Sequence, residues 1–141
     1  MPDTPALYPS YLLRVELDET RDLGSTRAGH RRITPILGGW MREMGGELRA
    51  RVLPGGADRQ VVRIDGTVDI DARYTAERDD GSLIEIHATG IRRTDAAGLY
   101  FRVMVRFECS DGEGDPLQNA LYIADGIRAE AAVLHTVYRV G

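Results

Sequence analysis

Hydrophobic and polar residues alternate with a period of two along most of this chain, the signature of strands with one buried and one solvated face. Leu12 to Leu17 places Leu13, Val15 and Leu17 against Arg14 and Glu16. Arg31 to Ile36 is a short β-branched run ending at Gly38-Gly39. Glu47 to Leu53 alternates Leu48, Ala50 and Val52 with Glu47, Arg49 and Arg51, and Arg59 to Ile64 alternates again. Thr67 to Arg78 is the clearest strand, with Val68, Ile70, Ala72, Tyr74 and Ala76 on one face. Leu83 to Ile91, Tyr100 to Cys109, Leu117 to Ala124 and Val133 to Val140 complete the pattern, about nine strands in all.

Asp-Gly pairs at 65–66, 80–81, 111–112 and 125–126 punctuate these runs, and Asp111 to Pro116 reads as a loop. Asp-Gly favours the positive φ of tight hairpin turns, so the pairs predict antiparallel neighbours. Sequential hairpins form an up-and-down meander, and a long meander removes its exposed edges by closing. The expectation is an all-β fold, a closed antiparallel up-and-down barrel of about 8–10 strands, allene oxide cyclase-like or lipocalin-like in architecture. Only Asp125 to Leu134 has room for a turn of helix, because Gly and Pro are frequent throughout. No linker or repeat divides residues 1–141, so a single domain is expected.

Composition narrows the function classes. The chain has 141 residues and a net charge of −4, which argues against a dedicated nucleic-acid partner. One cysteine, Cys109, excludes an internal disulfide framework. No apolar run reaches the length of a membrane helix and no secretory leader pattern opens the chain, so a cytoplasmic protein with no membrane partner is expected. All 18 basic residues are arginine, which removes a lysine Schiff base from the available chemistry. Residues 1–63 are net basic and residues 64–141 net acidic. The clustered Arg27, Arg31 and Arg32 are either an anion site or solvated strand-edge charge.

No phosphate-binding loop, dinucleotide fingerprint, nucleophile elbow or zinc-binding helix motif occurs, and Gly112 and Gly114 lack the third glycine. His30, His87 and His135 fall on separate segments with no ligand-pair spacing, so no metal or other cofactor is expected. Cys109 reads as a small residue at a strand end. Trp40 either covers a pocket mouth or simply packs. The row Tyr100, Arg102, Met104, Arg106 and Glu108 either lines a ligand cavity or faces water, with Phe101, Val103, Val105 and Phe107 opposite.

Several segments together carry a family resemblance. His30 to Gly39 resembles the G-x-R-R-I-x-P-I-x-G-G segment of the bacterial and fungal domain of unknown function 3237 family. Val52-Leu53-Pro54-Gly55-Gly56-Ala57-Asp58 is similar to its V-L-P-G-G-A-D loop. Asp65-Gly66, Asp71-Ala72-Arg73-Tyr74-Thr75, Asp79-Asp80-Gly81, Tyr100-Phe101-Arg102, Phe107-Glu108 and Val137-Tyr138 follow in the family's order. The resemblance spans roughly residues 10–140 and implies a closed antiparallel β-barrel. Two aromatic positions depart from it: Asp58-Arg59-Gln60 replaces D-W-Q, and Pro116-Leu117-Gln118-Asn119 replaces W-L-N. Barrels of similar shape, such as allene oxide cyclases, steer cyclisation of an apolar metabolite, an analogy of fold alone.

Three functions are compatible with this reading. The first is a cofactor-independent isomerase, cyclase or lyase acting on a small carbonyl-containing metabolite inside the barrel. Glu108 is then the expected base with His87 as the alternative, Arg73 and Arg102 hold the developing oxyanion, and Tyr74 and Tyr100 donate to the carbonyl. Arg32, Trp40 and Arg106 are the expected ligand-binding residues. The second is a non-catalytic small-molecule-binding barrel. The third is a structural or oligomerisation module, and a homodimer is compatible with all three. Which face of each strand points inward decides every one of these assignments.

Overall fold

The computed structural model describes residues 3–110 and 116–141. The strands are β1 (Leu7–Leu17), β2 (Arg21–Thr26), β3 (Gly29–Glu43), β4 (Arg49–Val52), β5 (Ala57–Val62) and β6 (Val68–Arg78). They continue with β7 (Leu83–Asp95), β8 (Gly98–Cys109), β9 (Leu121–Asp125), β10 (Ile127–Ala129) and β11 (Ala132–Val140), with a 3₁₀ turn at Pro116–Gln118. Every pairing is antiparallel, and β1 pairs with both β11 and β3, which closes the sheet on itself.

The eleven segments make a closed barrel of 8 staves. Consecutive short strands share a stave: β1 with β2 along β3, β4 with β5 between β3 and β6, and β9 with β10 along β11. The expected meander is present. β2 and β10 lie outside the expected strands, and the expected helical turn over 125–134 is instead the hairpin of β10 and β11. Its turn holds Ala131 at φ 52, so the Asp125-Gly126 pair is a break between strands and not the hairpin corner. Asp65-Gly66 and Asp80-Gly81 are turns with positive φ at the glycine, as the sequence implies. Asp111-Gly112 and Gly114 lie outside the described residues.

A bulge in β3 sets its phase. Arg32, Thr34 and Ile36 face inward on even positions, whereas Met41 is the buried residue beyond the bulge. The register against β1 slips between Ile36 and Gly38, which re-aims the second half of the strand.

The interior has two unlike ends. At the end bearing the chain termini, Tyr11, Phe107 and Tyr122 contact one another with ring centroids 5.1–5.8 Å apart. Leu13, Met41, Ile84, Ile86 and Leu117 are fully buried in the same core. The opposite end, bounded by the β2–β3, β5–β6, β7–β8 and β10–β11 turns, is not filled by apolar side chains. Ala72 and Ala88 pair across β6 and β7 in mid-barrel and leave room there. Among the described residues no helix is long and apolar enough to cross a membrane.

Candidate functional site

A cavity of about 190 Å³ occupies the unfilled end of the barrel. Its polar lining comes from Arg32 and Thr34 on β3, Asp58 and Gln60 on β5, Tyr74 on β6, Arg92 on β7, Arg128 on β10 and His135 on β11. Apolar walls come from Val15, Ile36, Ile70, Ala72, Ala88, Phe101, Val103 and Val133. An eight-stranded barrel encloses space for one small ligand, and an apolar cavity of about 150 Å³ is known to admit benzene. The cavity is therefore of single-ring size.

Asp58 is placed by the loop that divides β4 from β5. Gly56 lies in that loop, and a Cβ there would sit 2.5 Å from the Arg73 carbonyl oxygen and 2.5 Å from Tyr74 Cβ. Only glycine lets the loop approach β6 this closely. The β5–β6 ladder registers Ala57 and Asp58, then resumes at Val61, so it skips Arg59 and Gln60. The Asp58 side chain satisfies a backbone donor at this gap: Oδ1 accepts from the Asp71 N–H at 3.1 Å. Its Oδ2 accepts from Gln60 Nε2 at 2.7 Å, and Gln60 Oε1 accepts from Arg32 Nη2 at 2.9 Å. This chain fixes the Gln60 amide orientation, because guanidinium only donates. Burial pushes the Asp58 carboxyl above the usual carboxylate range, against the opposing effect of its two hydrogen bonds.

Tyr74 is buried and its hydroxyl has no hydrogen-bond partner among the described residues. Burial, and then the Asp58 charge, push its ionisation upward, so the phenol keeps its proton and remains a donor. Arg32 Nε is also buried without a partner among the described residues. Burial and the neighbouring charges of Arg128 and Arg32 hold Arg92 below the usual arginine range. None of Arg32, Arg92 and Arg128 forms an ion pair among the described residues.

His135 sits at a second ladder gap, where β9 gives way to β10. Its Nδ1 is 2.6 Å from the Asp125 carbonyl oxygen, and Asp125 Oδ1 accepts from the Thr136 N–H at 2.8 Å. A carbonyl only accepts, so Nδ1 carries the proton and Nε2 is left as an acceptor. Burial lowers the His135 pKa from its ordinary value and favours this neutral form. The ring packs edge-on against Phe101 at 5.8 Å. Gly126 makes this possible, since a Cβ there would meet the Phe101 ring at 2.6 Å.

The sequence-based candidates divide into two groups. Tyr74 and Arg32 lie in the cavity. The orientation of β8 corrects the interior placement of most of the others. Phe101, Val103, Val105 and Phe107 are 2–8% exposed and fill the interior, while Tyr100 and Met104 are 40% and 61% exposed. Tyr100, Arg102, Arg106 and Glu108 thus stand on the outer wall, because burying the apolar row is the more favourable choice. Arg73 is exposed on the opposite face of β6 from Tyr74, and His87 bonds Asp71 at 2.8 Å on the same outer surface. Arg73, His87, Arg106 and Glu108 do meet, in a shallow external dish with Glu85. Trp40 also faces outward, with the Arg42 guanidinium 4.3 Å over its ring. Arg59, at one family tryptophan position, is exposed, so that departure leaves the cavity wall unchanged.

Sequence reasoning missed Asp58, Gln60, Arg92, Arg128 and His135 as site residues. A signal was present for three of them. His135 interrupts the row Val133 and Val137, Arg92 extends the row Ile84, Ile86 and Ala88, and Gln60 precedes Val62 on the same face. A polar residue in an otherwise apolar row marks a lined cavity.

The chain matches the family described as "Protein of unknown function (DUF3237)" over residues 5–140, and it belongs to that family. It is 30% identical over 153 aligned positions to a UPF0311 protein of Rhodopseudomonas palustris (strain TIE-1), covering 97% of this chain and 99% of the relative. Its fold is similar to that of a β-barrel-like protein of Acinetobacter baumannii AYE, with a TM-score of 0.90 and 31% identity over 100% of this chain and 99% of that one. An enzyme from Penicillium herquei shares the fold at a TM-score of 0.75 and 18% identity, covering 100% of this chain and 98% of that one.

Proposed function

We propose that the barrel binds a small carbonyl-containing metabolite in its interior cavity and moves a proton on it, acting as a cofactor-independent isomerase, cyclase or lyase. The observation that carries this reading is the juxtaposition, in one single-ring cavity, of the desolvated Asp58 carboxyl with the unpartnered Tyr74 hydroxyl. A carboxylate whose pKa is raised toward working pH is a better general base than an exposed one. Donors held in a partly dry site stabilise charge that develops on oxygen.

In this mechanism Asp58 takes a proton from the carbon beside the substrate carbonyl. The C–H electron pair moves into the new C=C bond, and the carbonyl electrons move onto oxygen, where Tyr74 O–H receives them as a hydrogen bond. The enolate then either recovers the proton at another carbon, expels a leaving group, or attacks an electrophilic carbon of the same molecule. These are the isomerase, lyase and cyclase outcomes. His135 Nε2 is the second proton acceptor in reach of the cavity.

The test is deuterium uptake at the α-carbon of phenylpyruvate and of single-ring β-diketones in D₂O, followed by ¹H NMR. Wild-type protein accelerates exchange and Asp58→Asn loses the acceleration, while Glu108→Gln retains it. Loss in Glu108→Gln but not in Asp58→Asn moves the chemistry to the external dish. Saturable binding with exchange at the buffer rate leaves a non-catalytic binding barrel.

A further inference from the structure

We propose that the ligand is a single-ring organic acid whose carboxylate docks on the guanidinium groups of Arg32, Arg92 and Arg128 at the cavity mouth, with its carbonyl or hydroxyl end turned inward toward Asp58 and Tyr74. This rests on the reading of the cavity as a metabolite site and adds the ligand's charge and orientation.

Position along the barrel supplies the orientation. Arg92 pairs with Val68 at the first residue of β6, whereas Tyr74 pairs with Ile86 further along the same strand toward the closed end. Arg32 lies beside Gln60 near the start of β3, and Arg128 lies next to the β10–β11 turn. The three arginines therefore ring the open end, and Tyr74 stands deeper. Asp58, opposite Ala72, is at intermediate depth.

Charge supplies the ligand class. Three guanidinium groups share one opening, and none of them has an ion-pair partner among the described residues. Their neighbour Asp58 is engaged by Gln60 and the Asp71 N–H instead. Like charges held together need an anion, and the planar fork of arginine suits a carboxylate. Arg32 Nε, buried without a partner, is a donor waiting for one acceptor oxygen. An anionic group placed deeper would meet Asp58, so the carboxylate belongs at the mouth. The inner end offers a donor at Tyr74, which fits a hydroxyl or an enolisable carbonyl, and His135 Nε2 is a further acceptor in the lining. Cavity volume limits the body between these ends to about one ring.

Calorimetric titration with matched probes tests this. Benzoate and phenylpyruvate are expected to bind, with benzamide and methyl phenylpyruvate at least about tenfold weaker, the ratio for losing one charge-assisted hydrogen-bond pair. Arg92→Gln and Arg128→Gln should each weaken the acids about tenfold and leave the neutral probes unmoved. Arg128 is exposed, so its variant folds even if Arg92→Gln does not. Equal binding of acid and amide, tighter binding of phenyl phosphate than benzoate, indifference to both substitutions, or no binding of any acid each overturns the proposal. Selective acid binding without deuterium exchange refutes the catalytic reading alone. Exchange on neutral diketones without acid preference refutes this one alone.

Discussion

Replacing Tyr74 with Phe separates a functional hydroxyl from a structural one. The ring is buried against the core, and its hydroxyl makes no hydrogen bond among the described residues. A buried polar group without a partner costs about 1–3 kcal/mol, so removing the oxygen while keeping the ring should not destabilise the barrel. The expected outcome is equal or higher stability, with a gain of about 1 kcal/mol, or about 3–4 °C in Tm for a domain of this size. Function should move the other way. Loss of one preorganised donor to a developing oxyanion lowers rate by roughly 10²–10³-fold. Urea denaturation and deuterium exchange on phenylpyruvate measure the two effects on the same preparation. A loss of more than about 1 kcal/mol in Tyr74→Phe would refute the reasoning, since the hydroxyl would then be a satisfied structural group. Unchanged exchange would remove it from the chemistry.

Further expectations follow from the same geometry. Ala88→Leu projects new methyl groups into the cavity from mid-barrel, so ligand binding should vanish in titration while the circular dichroism spectrum stays β-rich, at an overpacking cost of about 1–3 kcal/mol. Gly56→Ala drives a Cβ to 2.5 Å from the Arg73 carbonyl, so it should lower Tm and displace Asp58 even though the residue never touches the ligand. Two titrating groups of the cavity lining have opposite pH signatures. His135 is lowered from 6.5, so stability falls as pH drops from about that value toward the folded-state pKa, and His135→Gln should flatten this limb of a Tm–pH profile. Asp58 is raised from 3.8, so its contribution is present below that pH and is lost as pH rises through the folded-state value, and Asp58→Asn should remove that limb.

The fold was legible because alternation and turns are local properties. The runs at Leu12–Leu17 and Tyr100–Cys109 lie within observed strands, Thr67–Arg78 starts one residue ahead of β6, and the meander follows from the order of the turns. Short segments were less visible. β2 and β10 contain Gly24 or adjoin Gly126 and have little apolar character to mark them. The site was partly legible. Tyr74 and Arg32 could be found by residue type, but alternation alone leaves open which row of β8 points inward, and the candidates Tyr100, Arg102, Arg106 and Glu108 depend on that choice. Burial of Phe101, Val103, Val105 and Phe107 contributes far more than lining a pocket with charge, and that difference fixes the strand's orientation.

The positions of Asp58 and His135 have one physical origin. A continuous ladder pairs every backbone donor and acceptor with its neighbour, so its side chains need only pack. Where β5 parts from β6, the Asp71 N–H takes the Asp58 carboxylate as its acceptor. Where β9 parts from β10, Asp125 supplies both the carbonyl for His135 Nδ1 and the carboxylate for the Thr136 N–H. Each gap thus converts a backbone requirement into an oriented side chain facing the interior. Gly126 lies in the second gap and Gly56 just before the paired residues Ala57 and Asp58 that precede the first, and they allow close approach to Phe101 and Tyr74, two walls of the same cavity. Repairing either gap by sequence change would restore the ladder and release the side chain it aims. The site is therefore built by interrupting the barrel at two staves, while the opposite end is closed by the packed rings of Tyr11, Phe107 and Tyr122.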